Sequence, residues 1–328
     1  MRCLRVRWSL ATVAVLGFAT RIAGGNRRIV EGNEPELALS PRPNCWVYTH
    51  MNKAGGTSIR GMIKDYAAAT NTTIAQYTFR EYAKRDKGVQ AILDSKPSLI
   101  HGSYTEGLRP NANLLACEWF TMVRHPIARL ISAFNYCGIR RGDQLCASEI
   151  HKPEDGDIYD FAEHWGNFAV LQFAIAFEDM NAIMDTNVRS PPWYKAKLYF
   201  EARLGPSSRM STATNNTADD ECQDVWMRKI LQPVEELLRS EYVAVGILEQ
   251  WQNSMMLFDH ALQIPGFNWT ATSAASTPLN SYDSEDKDEL LAAAMTDPAL
   301  KQILWLDILL YEHACSVHKA QLDRYGLA

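Results

Sequence analysis

The run Lys53-Ala54-Gly55-Gly56-Thr57-Ser58 has the composition of an anion cradle. Two adjacent glycines let backbone N–H groups come close to a bound oxyanion. A helix starting there adds the partial positive charge of its N-terminus. The hydroxyls of Thr57 and Ser58 can donate to the same anion or cap the helix. Lys53 stands before the glycines, at the mouth of the cradle, where its ammonium can reach a bridging oxygen and stabilise that oxygen as a leaving group. This order excludes a Walker A loop, in which the lysine follows the last glycine, and no GxxxxGK[ST] occurs elsewhere in the chain. By itself the run is accounted for equally well as a tight turn before a helix.

A second run supplies an independent reason to expect phosphate. In Val123-Arg124-His125-Pro126-Ile127-Ala128-Arg129-Leu130-Ile131-Ser132, an arginine follows an apolar stretch and a serine comes eight residues later. A guanidinium offers paired N–H donors to a phosphate. Ser132 lies off the helical face defined by Ile127, Leu130, Ile131 and Phe134, and is free to donate to the same group. The alternative for this pair is an arginine paired with a surface carboxylate and a solvated serine.

Both runs need strands that deliver them and helices that receive them. Cys45–Thr49, Ser98–His101, Trp119–Val123 and Tyr242–Ile247 are short apolar runs, each ended by polar, glycine or proline residues. Helical spacing follows in Ile59, Met62, Ile63 and Tyr66, in the Ile127 to Phe134 face begun by Pro126, and in Trp251, Met255, Phe258 and Leu262. Residues 159–184 and 223–239 also read as helical, residues 298–325 as a closing helix, and residues 186–222 as a long surface loop. Strands alternating with helices predict an α/β, three-layer fold with a mostly parallel central sheet flanked by helices.

The chain has 328 residues and a net charge of −5. Residues 1–28 hold six arginines and no acid, so the remainder carries −11. A body this acidic argues against a nucleic-acid partner and requires any phosphate site to be local. Residues 1–23 read as a signal peptide or a signal anchor: three arginines, an uncharged stretch from Trp8 to Thr20, then Arg21. Residues 24–43 read as a stem, and residues 44–328 as a single catalytic domain. Three N-x-S/T sequons, at Asn71, Asn215 and Asn268, agree with secretory-pathway entry. So do the six cysteines outside the leader, which are even in number and lack a CxxC pair. Among them Cys137 and Cys146, which flank a short polar segment, are the pair expected to bond. The eight histidines are scattered, and no metal site is expected.

The two runs together resemble the cofactor loops of the sulfotransferases that use 3′-phosphoadenylyl sulfate (PAPS). The closest likeness is to the Golgi carbohydrate group that includes the heparan sulfate 2-O- and 6-O-sulfotransferases. The resemblance covers residues 45–140 closely and 240–318 loosely, the latter through the strand Tyr242–Ile247 and Leu309-Leu310-Tyr311-Glu312-His313-Ala314. It implies a P-loop-like fold. It implies that Lys53, Ala54, Gly55, Gly56, Thr57 and Ser58 hold the 5′-phosphosulfate, and that Arg124 and Ser132 hold the 3′-phosphate. His101-Gly102-Ser103-Tyr104-Thr105-Glu106 is similar to the histidine segment of the 6-O group, which implies His101 as the catalytic base with Glu106 as runner-up. The 2-O group shows His-Gly-His, and here the third position is Ser103.

The implied reaction is in-line transfer of a sulfuryl group from PAPS to a glycan hydroxyl, leaving adenosine 3′,5′-bisphosphate. A neutral histidine near its ordinary pKa of about 6.5 suits a mildly acidic Golgi lumen. The implied location is the Golgi membrane, single-pass type II with a lumenal catalytic domain, or secretion if the leader is cleaved. Two readings from other classes remain open: a nucleotide-dependent kinase on a P-loop-like fold, and a non-catalytic lumenal binding protein. Sulfation of protein tyrosine is a variant of the same chemistry. Residues 141–239, where acceptor contacts are expected, match no family pattern. Arg140, Arg141, Lys195 and Lys197 are better read as solvated surface than as a glycan site, and Trp165, Trp193 and Tyr194 as core or as stacking residues.

Overall fold

The apolar runs form a sheet because each is buried on both faces and pairs in parallel with a neighbour. The computed structural model describes residues 45–84, 86–110, 114, 116–139, 146, 157–177, 183, 192–204, 223–275 and 286–328. The strands are β1 (Trp46–Thr49), β2 (Ile74–Gln76), β3 (Leu99–Gly102), β4 (Glu118–Val123) and β5 (Tyr242–Ile247). They lie in the order β2-β3-β1-β4-β5, and every pairing is parallel. This is an α/β fold with helices on both sheet faces. β2 escaped sequence reading because it is an edge strand of three residues, too short to show a period.

After β1 comes α1 (Gly56–Thr70), whose Ile59, Met62, Ile63 and Ala67 are buried at helical spacing. Asn71, with φ 55°, ends it by donating its backbone N–H to the Ala67 carbonyl. The helices α2 (Phe79–Tyr82) and α3 (Asp86–Ser95) lead to β3. After β4 comes α4 (Pro126–Ile139). Among the described residues, the expected helix at 159–184 is broken into α5 (Ile158–Trp165) and α6 (Phe168–Ala174), the latter running into a 3-10 turn at Ile175–Phe177. They are separated by Gly166 and by Asn167, which adopts a left-handed φ of 57°. A Cβ on Gly166 would stand 2.4 Å from the Ala162 carbonyl, so the chain turns where only glycine fits.

The loop expected at 186–222 contains a helix, α7 (Pro192–Leu204), which buries Ala196 and Phe200 in the core. The prolines that suggested a loop fit a helix start. A π-helical turn at Met227–Leu231 runs into α8 (Gln232–Ser240), and β5 is followed by α9 (Trp251–Leu262) and α10 (Trp269–Ala275). The chain closes with α11 (Asp286–Thr296), α12 (Pro298–Ile303) and α13 (Trp305–Arg324), so the expected closing helix is broken at Leu304.

One sheet face, with Trp46, Tyr48, Phe120 and Met122, packs on α1, α9 and α10 through Ile59, Ile63, Phe258 and Trp269. The opposite face, with Val47, Trp119, Val123 and Val245, packs on α6, α8 and α13 through Val170, Phe173, Leu238 and Leu310. Lys197, read as surface, is 5% exposed and donates to the Glu163 carbonyl. Trp165 is core, with the Arg129 guanidinium 4.6 Å from its ring centre. Arg140 and Arg141 fall outside the described residues, as do the side chains of Trp193 and Tyr194.

Two disulfides join Cys45 to Cys117 and Cys137 to Cys146. The second is the expected pair. The first links the residues just before the adjacent strands β1 and β4, where Glu118 N also donates to the Cys45 carbonyl at 2.9 Å. Disulfides of this kind belong to a lumenal or extracellular domain. Asn71 and Asn268 are exposed. Among the described residues no helix is long and apolar enough to cross a membrane. The leader, the stem and Asn215 lie outside them.

The Cys45–Cys117 bridge closes a loop with a sequence separation of 72. Cys45→Ser with Cys117→Ser is expected to lower unfolding stability by about 4 kcal/mol through the unfolded chain's added freedom. Urea denaturation of the double variant beside wild type checks this.

Candidate functional site

The strands β1 and β4 are neighbours, yet the chain leaves them in opposite directions: from β1 towards β2 at one edge, from β4 towards β5 at the other. A crevice opens beyond the carboxyl ends of such a pair, and in open parallel sheets ligands bind there. The two chemistry-bearing runs are the loops on its two sides.

The loop after β1 spans His50 to Gly55. Lys53 and Gly55 both have left-handed backbones, with φ 65° and 74°, and Gly55 is the N-cap of α1. The amides of Gly56 and Thr57, in the first turn, precede any carbonyl the helix can offer them. Thr57 and Ser58 do not cap the helix, because the cap position is glycine and no side chain bonds there. Both residues are partly exposed. Gly56 has a role that its sequence context hides. A Cβ there would lie 1.7 Å from the His50 ring, so the histidine occupies the space beside the helix start.

Arg124, at the exit of β4, reaches across the crevice and donates from Nη1 to the Lys53 carbonyl at 3.0 Å. Burial lowers its pKa from the ordinary value, and the Glu249 carboxylate opposes that shift. The guanidinium stays charged, as arginine does in proteins. Lys53 Nζ stands 4.0 Å from the centre of the Tyr136 ring. Glu249, at the exit of β5, accepts from His125 N at 3.1 Å and from the Tyr311 hydroxyl at 3.2 Å, tying down the loop that carries Arg124. Ser132 is on α4, partly exposed and off its buried face, with no bond that joins it to Arg124.

The two base candidates lie on opposite faces of the sheet. His101 pairs in register with Tyr48, and both point towards α1. It is 1% exposed, and its Nδ1 is buried without a hydrogen-bond partner. Burial, reinforced by the positive charges of Arg60 and Lys64, lowers its pKa to about 4, below the ordinary value expected from sequence. His50 is lowered to about 3, by burial first and then by Arg60, His101 and Lys53. Both imidazoles are therefore neutral at mildly acidic pH.

Glu106 is fully buried beneath the other face. Its carboxylate accepts from Thr49 Oγ1 at 2.8 Å and Arg109 Nε at 2.6 Å, and it also meets the Tyr242 hydroxyl. Arg109 stacks over Trp119, 3.9 Å from the ring centre. With these partners Glu106 ties the end of β1 to β5 and to the turn after β3.

The tertiary structure thus unites Lys53 to Ser58 with Arg124, sets His101 on the adjacent strand, and separates Glu106 from them. Tyr136, Arg60 and Gln172, which also stand at these loops, carried no sequence signal, and Glu249 entered only through the likeness of Leu248-Glu249-Gln250 to the family's late turn. Each comes from an element whose placement depends on the whole fold. The arrangement concentrates free helix amides, an ammonium and a guanidinium at one crevice, which suits a ligand with separate anionic groups. No protein-family model matches the chain, and no curated protein matches it.

His101 and His50 generate a pH-dependent stability. Their folded pKa values are depressed, so the unfolded chain binds more protons below pH 6.5, and stability is lost as pH falls from there towards 4 and 3. Buried His101 is expected to contribute a loss of about 2 kcal/mol between pH 7 and 5. Urea denaturation at those pH values checks it: His101→Asn should show a shallower fall than wild type, and an equal fall would refute the assignment.

Proposed function

We propose that this chain is a PAPS-dependent carbohydrate O-sulfotransferase of the Golgi lumen, held to the membrane by its N-terminal segment. The observation that carries the reading is the bond from Arg124 to the Lys53 carbonyl. It joins a 5′-phosphosulfate cradle and a 3′-phosphate arginine across one crevice, a pairing that PAPS needs and a simple capped turn does not. The residues fit this donor. The cradle depends on Gly55 at positive φ and on a Gly56 that admits no Cβ, and its polar side chains, Lys53, Thr57 and Ser58, can each donate.

PAPS supplies an activated sulfuryl group whose departure leaves adenosine 3′,5′-bisphosphate. In the proposed step a glycan hydroxyl oxygen bonds to sulfur while the bond from sulfur to the bridging phosphate oxygen breaks. His101, neutral at lumenal pH, takes the hydroxyl proton. Lys53 and the amides of Gly56 and Thr57 offset the charge that collects on the departing oxygen and around sulfur. Arg124 and Ser132 hold the 3′-phosphate, and this purchase on a remote group orients the donor. Glu106 holds the strand ends that carry these groups.

Calorimetry with adenosine 3′,5′-bisphosphate, with adenosine 5′-monophosphate and ATP as controls, tests the reading. Selective binding of the bisphosphate is expected, and Arg124→Ala should weaken it about tenfold to a hundredfold, the worth of a hydrogen bond to a charged group. A preference for ATP would return the site to the kinase reading, and no binding would sink both.

With PAPS and a panel of glycans, Lys53→Ala and His101→Ala are expected to fold but to lose at least about 10²-fold in kcat. Retention of full turnover by either would remove that residue from the mechanism.

A further inference from the structure

Gln172, on α6, stands where the loops after β1 and β3 part. Its side chain comes from the sheet face opposite α1 and is 1% exposed. Nε2 donates to the His50 carbonyl at 2.8 Å and to the Ser103 carbonyl at 2.8 Å. Both neighbours are acceptors, so the amide orientation is fixed: the flipped form would set oxygen against two oxygens. Oε1 is buried with no partner, so neither bond is offset by one on the other side of the amide.

The position of these carbonyls gives the bonds their consequence. The β1–β3 ladder ends at Thr49 and Gly102, with one more bond from His50 N to the Gly102 carbonyl at 2.9 Å. Beyond it the two chains diverge, one into the Lys53 cradle and the other into Ser103 and Tyr104. Gln172 bridges them at the point of divergence. Its own support is rigid. Asp307, at the start of α13, accepts from Ala169 N at 3.2 Å and Val170 N at 2.9 Å in the first turn of α6, and is also paired with Arg129. Asn167 adds a bond from Nδ2 to the Ile303 carbonyl at 2.7 Å.

We propose that Gln172 is a positioning residue of the transfer site, setting the spacing between the loop that carries Lys53 and the strand exit that carries His101. The proposal rests on the sulfuryl-transfer reading. In-line transfer requires donor and base to be aligned together, whereas the cradle with Arg124 and Ser132 binds the nucleotide product without the base. The residue therefore acts on turnover and hardly on product affinity.

The test compares wild type with Gln172→Met, which keeps the length without donors, and Gln172→Asn, which keeps the amide but is one methylene short. Three readouts are taken on each folded protein: amide hydrogen exchange across 50–56 and 102–106, the Kd for adenosine 3′,5′-bisphosphate, and kcat and KM with PAPS and an accepted glycan. In Gln172→Met, exchange in both segments is expected to rise about tenfold, with the rest of the sheet unchanged. Its Kd should stay within about threefold of wild type while kcat falls by about 10², the effect of a misplacement near 1 Å. Gln172→Asn should fall between the two.

Unchanged exchange, unchanged kcat, or equal losses in Kd and kcat with a general rise in exchange would each overturn the positioning role in an active wild type. A wild-type protein that neither binds the bisphosphate nor uses PAPS overturns the sulfuryl-transfer reading and this role with it. The two failures are thereby distinguished.

Discussion

Four buried residues, Trp46 to Thr49, constrain everything else in this protein. β1 lies between β3 and β4 and is paired on both sides, so it has no free edge and no exposed face. Its entrance is fixed to β4 by the Cys45–Cys117 disulfide. Its exit must leave upward, past the ends of both neighbours, and the chain that leaves is the lysine–glycine loop. A loop anchored so closely at its base can hold two left-handed residues, at Lys53 and Gly55, because the strand below resists their relaxation. The fold thereby holds the donors of that loop in place, which is the condition for electrostatic preorganisation.

Two buried polar groups of different character sit beneath this exit. On the side of α6 and α13, Thr49, Glu106, Arg109 and Tyr242 form a bonded set in which the charged pair is buried and also hydrogen-bonded. Such a pair contributes little net stability when complete, and its disruption is severe because it strands a charge. Its value lies in fixing β1, β5 and the turn after β3 relative to one another. On the side of α1, Tyr48 and His101 carry buried polar atoms without partners, and the Arg60 side chain adds another. Residues left unsatisfied where a sheet opens onto a crevice are candidates for function, since structure alone gives no reason to keep them. The first set ties strands and turn together, and the second lies on the α1 side of the sheet.

The helices extend this division. Asp307 begins α13, closes the start of α6 and pairs with Arg129 of α4, so three helices from distant parts of the chain meet at one carboxylate. Through Gln172 on α6 this junction reaches the carbonyls of His50 and Ser103. The two loops are thus supported from below by the sheet and from the side by α6, which α4 and α13 brace.

The strands β1, β3, β4 and β5 were legible in the sequence because a parallel strand buried on both faces must be a short, continuous apolar run. The backbone freedom and charge of the loops were legible for a related reason: glycine, lysine and arginine declare them by their types alone. The edge strand β2, the break between α5 and α6 and the helix α7 were not, because three residues show no period and a chain break depends on what packs against it. The separation of His101 from Glu106 was equally hidden. They are five residues apart in sequence, but His101 ends on the α1 face while Glu106, past the turn, is drawn by Thr49, Tyr242 and Arg109 beneath the opposite face. The pKa of His101 is lowered to about 4 first by burial and then by the positive charges of Arg60 and Lys64, some forty residues earlier. Residue types and local spacing thus determined the strands and the donors, since both are properties of short segments. Only the tertiary structure decided which charges face each other, because burial and Coulomb interaction depend on distance through space and not along the chain.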